Sequence, residues 1–333
     1  MINLNRRNAL LGAMGALTAP ICALPALAQD SYPVGPVRMV VGFTAGTPPE
    51  IFARMLAERM AKSLKQPFIV ENKPGAGSVI ATAQVAKAKP DGTTLLLGVA
   101  AGLGSGPHLI PNANYDPRTD FEPVGFVQRG AYFISVRPDL PIRTLKDLVD
   151  YARANPDKLS FGTPGVGTLH HLIWELLQAQ TGIRLVHVPF PGTPQLVNEG
   201  VAGRLDLMIE GASSLVVPHV RAGKFQYIAT TGPRRSAQFA QVATVAEQGF
   251  AALQSESWWV LLAPRGTPEA LLRPLRQELA QTLATPEAKR LLESLGAYED
   301  GGGGGSPEQV KAFMKSEYER WGEVIRRANI KVN

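Results

Sequence analysis

Cysteine is almost absent from this sequence, because its 333 residues contain one, Cys22. That residue lies in an N-terminal segment that we expect to be removed, so the mature chain would have no disulfide, no thiolate nucleophile and no cysteine zinc site. The five histidines lack the spacing of metalloprotease ligands, and the adjacent His170 and His171 cannot share one face of a helix or strand. The sequence therefore predicts no metal and no cofactor.

Other signatures of catalysis and of membrane spanning are also missing. There is no G-x-S-x-G nucleophile elbow, and the glycine run at 301–305 lacks the lysine and hydroxyl residue of a phosphate-binding loop. Beyond residue 28 no apolar stretch is long enough to cross a bilayer. The net charge of +6 is too diffuse for a nucleic-acid partner and suits a small anion, although it could serve solubility alone.

The first 28 residues have the features of an export signal. Arg6 and Arg7 form a basic start, residues 9–24 are apolar, and Ala26-Leu27-Ala28 is a small-x-small cleavage site before Gln29. We therefore predict a cleaved signal peptide at 1–28. The paired arginines leave both the general secretory route and the twin-arginine route open.

The stretch 40–60 is the most complete structural signal in the chain. An apolar strand, Arg38–Val41, leads through a short turn into a helix in which Thr47 suits the N-cap and Pro48 the first helical position. Glu50 follows Thr47 at the spacing of a capping box. Because a helix that begins directly after a strand points free N–H groups out of the sheet edge, we expect this helix start to hold a carboxylate.

Strand, glycine-containing loop and helix recur along the rest of the chain, which predicts an α/β fold with parallel strands covered by helices. Two separate strands, 124–128 and 132–136, are expected between the two blocks of this pattern. The blocks predict two lobes: residues 29–128 and 252–333 form lobe 1, and residues 129–251 form lobe 2. Two strands that cross between the lobes would form a hinge, and the cleft beside them would bind a ligand.

Four loops, at 43–50, 72–79, 163–170 and 190–195, end in helix starts that are rich in glycine, threonine or serine. Each loop alone is typical of ordinary turns and caps. Their recurrence in both lobes favours two facing sets of N–H donors, which would enclose a molecule with one or two carboxylates.

Several segments, in order through the mature chain, carry a family resemblance: YP at 32–33, VVGF at 40–43, IFAR at 51–54, VENKPGAG at 70–77, PDGTTLL at 90–96, YDP at 115–117, HVPF at 187–190, GRLD at 203–206 and AGK at 222–224. With these segments the chain resembles the extracytoplasmic solute-binding receptors of tripartite tricarboxylate transporters, the Bordetella-uptake-gene type. The resemblance implies a type II periplasmic-binding-protein fold of the venus-flytrap kind, a periplasmic location and no catalysis. It also implies a monomer that captures a small organic anion, which could be a mono- or dicarboxylate, an amino acid or an aromatic acid, and delivers it to integral membrane transporter subunits.

The resemblance also implies a set of ligand-binding residues. Pro48 and Pro49 remove two N–H donors from the first loop, so we expect that loop to shape the pocket and the segments 75–78 and 163–171 to hold the anion. The implied residues are Phe43, Ala45, Gly46, Thr47, Gly75, Ala76, Gly77, Ser78, Thr163, Thr168, His171, Thr193 and Glu210.

Alternatives stay open at several of these positions. His171 could be a polar residue of a first helical turn, and we expect His170 to face solvent. Glu210 could bind a ligand amine or cap the helix that follows it. Trp258 and Trp259 are expected to pack on opposite faces of the hinge strand, with stacking on an aromatic ligand as the alternative. At the level of function, the alternatives are a partner that presents its ligand to a sensor kinase and an exported hydrolase.

Overall fold

The computed structural model describes residues 32–33, 35–298 and 303–331. The predicted signal peptide, 1–28, lies outside the described residues. In the described ranges, no helix is both long and apolar enough to cross a membrane.

Strands and helices alternate through most of the described chain, as the sequence pattern predicts. The strands are β1 (Val37–Val41), β2 (Phe68–Asn72), β3 (Thr94–Val99), β4 (Phe121–Val136), β5 (Ser160–Thr163), β6 (Val186–Pro189), β7 (Leu207–Gly211), β8 (Gln226–Thr230) and β9 (Glu256–Pro264). The α-helices are α1 (Pro48–Leu64), α2 (Val79–Ala86), α3 (Gly106–Leu109), α4 (Leu145–Ala154), α5 (Leu169–Thr181), α6 (Thr193–Val201), α7 (Val217–Arg221), α8 (Glu269–Ala284), α9 (Pro286–Ser294) and α10 (Pro307–Arg327).

Two groups of strands give the fold its two lobes. In the first group β1 lies between the parallel strands β2 and β3, and β9 joins β3 to β4 by antiparallel pairing. In the second group β5 pairs in parallel with β6 and β7, while β4 pairs antiparallel with β7 and β8. Strand β4 therefore belongs to both groups, and with β9 it forms the predicted hinge of crossing strands.

The first strand–helix unit forms where the sequence places it, and its apolar spacing explains why. Met39 and Val40 are both fully buried, because the parallel strand β1 is covered on both faces. Helix α1 buries Phe52, Leu56 and Met60, which recur at helical spacing and pack in one core cluster with Met39.

The predicted capping box of α1 is wrong. The helix begins at Pro48 after Thr47, but the Thr47 hydroxyl donates to the carbonyl of Thr44 at 2.8 Å and caps nothing. Glu50 accepts instead from the N–H of Gly46 at 3.0 Å and pairs with Arg54. The Thr47 hydroxyl is turned back towards Thr44, and the Glu50 carboxylate is held by Gly46 and Arg54, so neither hydrogen bond of the box forms.

The two strands predicted at 124–128 and 132–136 are one continuous strand, β4. Gly130 is the residue that suggests a break, and in the structure it continues the pairing with β9 opposite Ser257. A glycine is required at this position because the backbone of Gly296 packs directly against Gly130. An added Cβ would overlap the Gly296 carbonyl oxygen.

Gly130→Ala is therefore expected to destabilise the hinge. The new methyl group meets backbone rather than a flexible side chain, so relief requires β4 and the segment after α9 to separate, at a cost of about 1–3 kcal/mol in the free energy of unfolding. Urea unfolding of the variant measures this loss. Gly35→Ala is the matched control, because an added Cβ there meets nothing within 4 Å. Equal stability of the two variants would show that the contact at Gly296 is not rigid.

The two adjacent tryptophans of β9 pack on opposite faces, as predicted. Trp258 belongs to the core cluster that includes Trp321, and Trp259 belongs to the cluster that includes Phe52. The indole N–H groups of Trp258 and Trp321 both donate to Glu317 of α10, at 3.2 and 3.3 Å. The C-terminal helix thus fixes the hinge strand from one side.

Candidate functional site

A cavity of about 80 Å³ lies between the two groups of strands, next to the hinge. Its walls come from the loop before α1, the residues after β3, the hinge strands β4 and β9, the first turns of α5 and α6, and the residues at the end of β7. In an α/β fold, ligands bind where the carboxyl ends of strands meet helix starts, so this is the position the fold favours for a ligand.

Some of the residues implied by the family resemblance line this cavity. Phe43 and Thr47 approach it from the first lobe, and Thr168, Thr193 and Glu210 from the second. Pro48 and Pro49 also line it, so the start of α1 contributes pyrrolidine rings there rather than N–H donors.

The rest of the implied set lies outside the cavity wall. The segment 75–78 has positive φ angles throughout, and Gly77 lies against Val166, where an added Cβ would come within 3.3 Å of the carbonyl oxygen. The Thr163 hydroxyl lies 2.7 Å from Nε2 of His187. The residues that do not line the cavity are Ala45, Gly46, Gly75, Ala76, Gly77, Ser78, Thr163 and His171.

Of the two adjacent histidines, His170 lines the cavity and His171 does not, which is the reverse of what we expect from the sequence. His170 lines the cavity, with its ring edge-on to Tyr132 at 4.5 Å between centroids, and burial lowers its pKa to about 3. The expectation that His170 faces solvent is therefore wrong. His171 turns away, stacks on His187 at 4.1 Å and accepts a hydrogen bond from the N–H of Gly167 at 3.3 Å. Both rings are covered because the lobe encloses the first turn of α5 on both sides.

Glu210 is the unusual side chain of the cavity. It belongs to β7, opposite Phe133 of β4, and is only 4% exposed. Its Oε2 accepts from the Thr193 hydroxyl at 3.3 Å, whereas Oε1 has no hydrogen-bond partner among the described residues and lies 3.8 Å from Nε2 of His170. Burial raises the pKa of Glu210 to about 8.

Two further observations define the role of this carboxyl group. The helix after Glu210 is α7, which begins at Val217 behind Val216, so the alternative that Glu210 caps that helix is wrong. None of the described residues that line the cavity is a lysine or an arginine. A buried acid therefore lines the cavity without a lysine or arginine in the wall beside it.

The start of α5 supplies the donors that an anion needs. Thr168 caps this helix, because its hydroxyl oxygen accepts from the N–H of His171 at 3.4 Å. The N–H groups of Leu169 and His170 precede the first possible intrahelical partner, and neither has an acceptor among the described residues. All three residues of this first turn, Thr168, Leu169 and His170, line the cavity.

The structure also adds residues that the sequence did not single out as ligand contacts. Tyr132 and Ser257 line the cavity from the hinge strands, and Ser213 and Gly296 line it from loops. The sequence offers one indication of Tyr132 and Ser257, because it predicts two strands that cross beside the cleft. The inner faces of such strands form the floor of the cleft.

Two hydrogen bonds connect the lobes. The Thr44 hydroxyl donates to the carbonyl of Pro191 at 3.4 Å, and the Ser105 hydroxyl donates to the carbonyl of Gly167 at 3.2 Å. Gly192 lies close to the first lobe, so an added Cβ would come within 2.8 Å of the Thr44 hydroxyl oxygen. The lobes are therefore in contact at two separate places.

Comparison with known proteins identifies the family of this chain. Residues 52–330 match the tripartite tricarboxylate transporter family receptor. The solved periplasmic binding protein BugD is 34% identical, with a TM-score of 0.80, and the match covers 90% of this chain and 99% of BugD.

Two further solved relatives contain carboxylates. Rpa4515 of R. palustris, solved with adipate, is 31% identical with a TM-score of 0.81, over 90% of this chain and 99% of its own. MatC from Rhodopseudomonas palustris, solved with bound malate, is 30% identical with a TM-score of 0.80, over 88% of this chain and 100% of its own.

Proposed function

Because this chain belongs to the tripartite tricarboxylate transporter receptors, a family of periplasmic solute-binding proteins, we propose that it captures a small organic carboxylate between its lobes. It then delivers this ligand to the membrane subunits of a tripartite tricarboxylate-type transporter. The same proposal includes export through a cleaved signal at 1–28 and a monomeric receptor. It divides the mature chain into lobe 1, at 29–128 and 252–333, and lobe 2, at 129–251.

The observation that carries the proposal is the first turn of α5. Leu169 and His170 line the cavity between the lobes, and no described residue accepts a hydrogen bond from the backbone N–H of either one. A helix start concentrates unpaired donors and positive partial charge, so an anion bound there is stabilised without a basic side chain. The adipate and malate of two relatives support the carboxylate class.

Ligand capture follows from the two-lobed fold. Phe43 and Thr47 contact the ligand from one lobe, and Thr168, Thr193 and Glu210 contact it from the other. A ligand that touches both lobes binds the closed state more tightly than the open one, so it shifts the equilibrium towards closure about β4 and β9. The closed surface is then what the transporter recognises.

Calorimetry against a panel of acids tests the proposal. The panel contains succinate, malate, adipate, benzoate and nicotinate together with aspartate, glutamate, leucine and phenylalanine, and the uncharged diamides of succinate and adipate are the controls. We expect at least one acid to bind with micromolar affinity and to raise the unfolding temperature, since a ligand at 100 times its Kd adds about 2.7 kcal/mol of stability. The diamides should not bind. If no acid bound at micromolar concentration, the proposed function would be wrong.

A further inference from the structure

The loop 163–168 leads from β5 into α5 and touches the first lobe through its backbone. The Ser105 hydroxyl donates to the carbonyl of Gly167 at 3.2 Å. The carbonyl oxygen of Val166 is the atom nearest to an added Cβ at Gly77, at 3.3 Å. We call residues 163–168 the contact loop. Because its contacts with the first lobe are made by peptide groups, the orientation of those groups decides how the lobes meet here.

His171 holds one of these peptide groups from inside the second lobe. Its Nδ1 accepts from the N–H of Gly167 at 3.3 Å, and the carbonyl of the same peptide group is that of Val166, which lies against Gly77. The N–H and C=O groups of a trans peptide point in opposite directions, so one end of this group is bonded to His171 and the other faces the first lobe. His171 is 5% exposed and does not line the cavity. It therefore acts on the cleft only through the contact loop.

The ring of His171 is itself held in place. It stacks on His187 at 4.1 Å between centroids, and His187 stacks in turn on Phe161 at 4.8 Å. Nε2 of His171 lies 3.6 Å from Oε1 of Glu175, which favours the tautomer that has its proton on Nε2 and an acceptor at Nδ1. Nε2 of His187 lies 2.7 Å from the hydroxyl of Thr163. The two histidines thus hold the contact loop near both of its ends.

We propose that His171 is a positioning residue for ligand capture, because it orients the Gly167 peptide group for contact with the first lobe and so stabilises the closed cleft without touching the ligand. The proposal rests on the proposed function, since the closed cleft is the state that retains the ligand. When the lobes separate, water can replace a missing acceptor for the N–H of Gly167, whereas in the closed cleft Gly167 is buried. Loss of the acceptor therefore destabilises the closed state more than the open one and speeds ligand release.

Two substitutions of similar shape isolate the acceptor. His171→Asn keeps an acceptor on Cγ, in the place of Nδ1, and His171→Leu puts a methyl group there, while both lose the stacking on His187. We expect His171→Leu to bind the tightest panel acid about tenfold more weakly than His171→Asn, because a buried N–H is left unsatisfied. Stopped-flow fluorescence should place the difference in the dissociation rate. His171→Gln is a second variant without the acceptor, since its amide reaches towards Glu175, and it should behave like His171→Leu.

A double-mutant cycle with Ser105→Ala tests whether His171 acts through the contact loop. Ser105 belongs to the first lobe, lies outside the cavity wall and donates to Gly167. Because both hydrogen bonds are made by Gly167, Ser105→Ala should weaken binding by the unmodified protein and have little further effect in His171→Leu. Thr44→Ala is the matched control. It removes a hydrogen bond between the lobes at Pro191, away from the contact loop, so its effect should be the same in both backgrounds.

Each outcome decides one of the two claims. Equal dissociation rates in His171→Leu and His171→Asn would overturn the positioning role and leave the proposed function standing, and so would effects of Ser105→Ala and His171→Leu that add in full. Circular dichroism reports the fold of each variant. Loss of the fold in both His171→Leu and His171→Gln would also overturn the proposal, because the acceptor would then be needed for folding rather than for closure. If the unmodified protein bound no panel acid, the proposed function itself would fail, and this inference with it.

Discussion

Phenylalanine in place of Gly192 is expected to abolish tight ligand binding while both lobes stay folded. Gly192 precedes the first turn of α6 and lies where the second lobe meets the first. An added Cβ would approach the Thr44 hydroxyl oxygen to 2.8 Å and the Thr47 methyl group to 3.3 Å. A larger side chain therefore cannot fit while the cleft is closed.

The Gly192→Phe substitution should not unfold the protein. Gly192 has a φ of 170°, which is extended backbone that any residue adopts. In an open cleft the phenyl ring would point into solvent, so the substitution raises the free energy of the closed state and not that of the open state. Binding draws its free energy from contacts with both lobes, and losing one set should weaken the affinity at least 100-fold, about 2.7 kcal/mol.

Calorimetry with the panel acid that binds most tightly measures the loss, and small-angle X-ray scattering measures closure. The unmodified protein should become more compact when this acid is added, and Gly192→Phe should not. Gly35→Phe is the control, because an added Cβ at Gly35 has open space around it. Unchanged affinity in Gly192→Phe would mean that the ligand is bound without closure at this contact.

The second large effect concerns pH. Between about pH 5 and pH 8, we expect the ligand-free protein to lose stability relative to Glu210→Gln as the pH rises. Burial raises the pKa of Glu210 from 4.5 to about 8, so within this window the folded protein keeps a proton that the unfolded chain has released. The unfolded state then binds fewer protons, and stability falls by up to about 1.4 kcal/mol for each pH unit. Below pH 4 both states are protonated and above pH 8 both are ionised, so the contribution levels off at each end.

The comparison with the variant is needed because other groups titrate. The groups that face Glu210 are His170, Tyr132 and Tyr227; both tyrosines stay neutral in this window, since burial raises their pKa values. The pKa values of His170 and His187 are lowered to about 3 and about 4, so below pH 6.5 these residues make stability rise with pH. The Glu210→Gln variant keeps the contributions of His170 and His187 to the pH dependence of stability and removes only that of Glu210. Urea unfolding at pH 5, 6, 7 and 8 gives the difference, and parallel curves for the two proteins would show that Glu210 is ionised in the folded state.

Much of the fold could be predicted because it depends on local patterns. The period of apolar residues in α1 and β1 places both elements, and Pro48 marks where the helix begins. The family resemblance implies Thr168, Thr193 and Glu210 as ligand-binding residues, and all three do line the cavity, at the carboxyl ends of strands where an α/β fold binds ligands.

The rest depended on packing that a sequence does not show. His170 and His171 differ by about 100° around α5, and which of them faces the cavity is decided by the neighbouring strands. Gly75 to Ser78 resemble an anion-binding loop, yet their left-handed backbone turns them into a contact with the other lobe. Tyr132 and Ser257 become wall residues only when β4 and β9 cross.

The most direct test of the account is a crystal structure with the panel acid that binds most tightly. We expect the ligand in the cavity that Phe43 and Tyr132 line, with a carboxylate within hydrogen-bond distance of the N–H groups of Leu169 and His170. A ligand outside this cavity, or one whose carboxylate contacts neither of these N–H groups, would contradict the account.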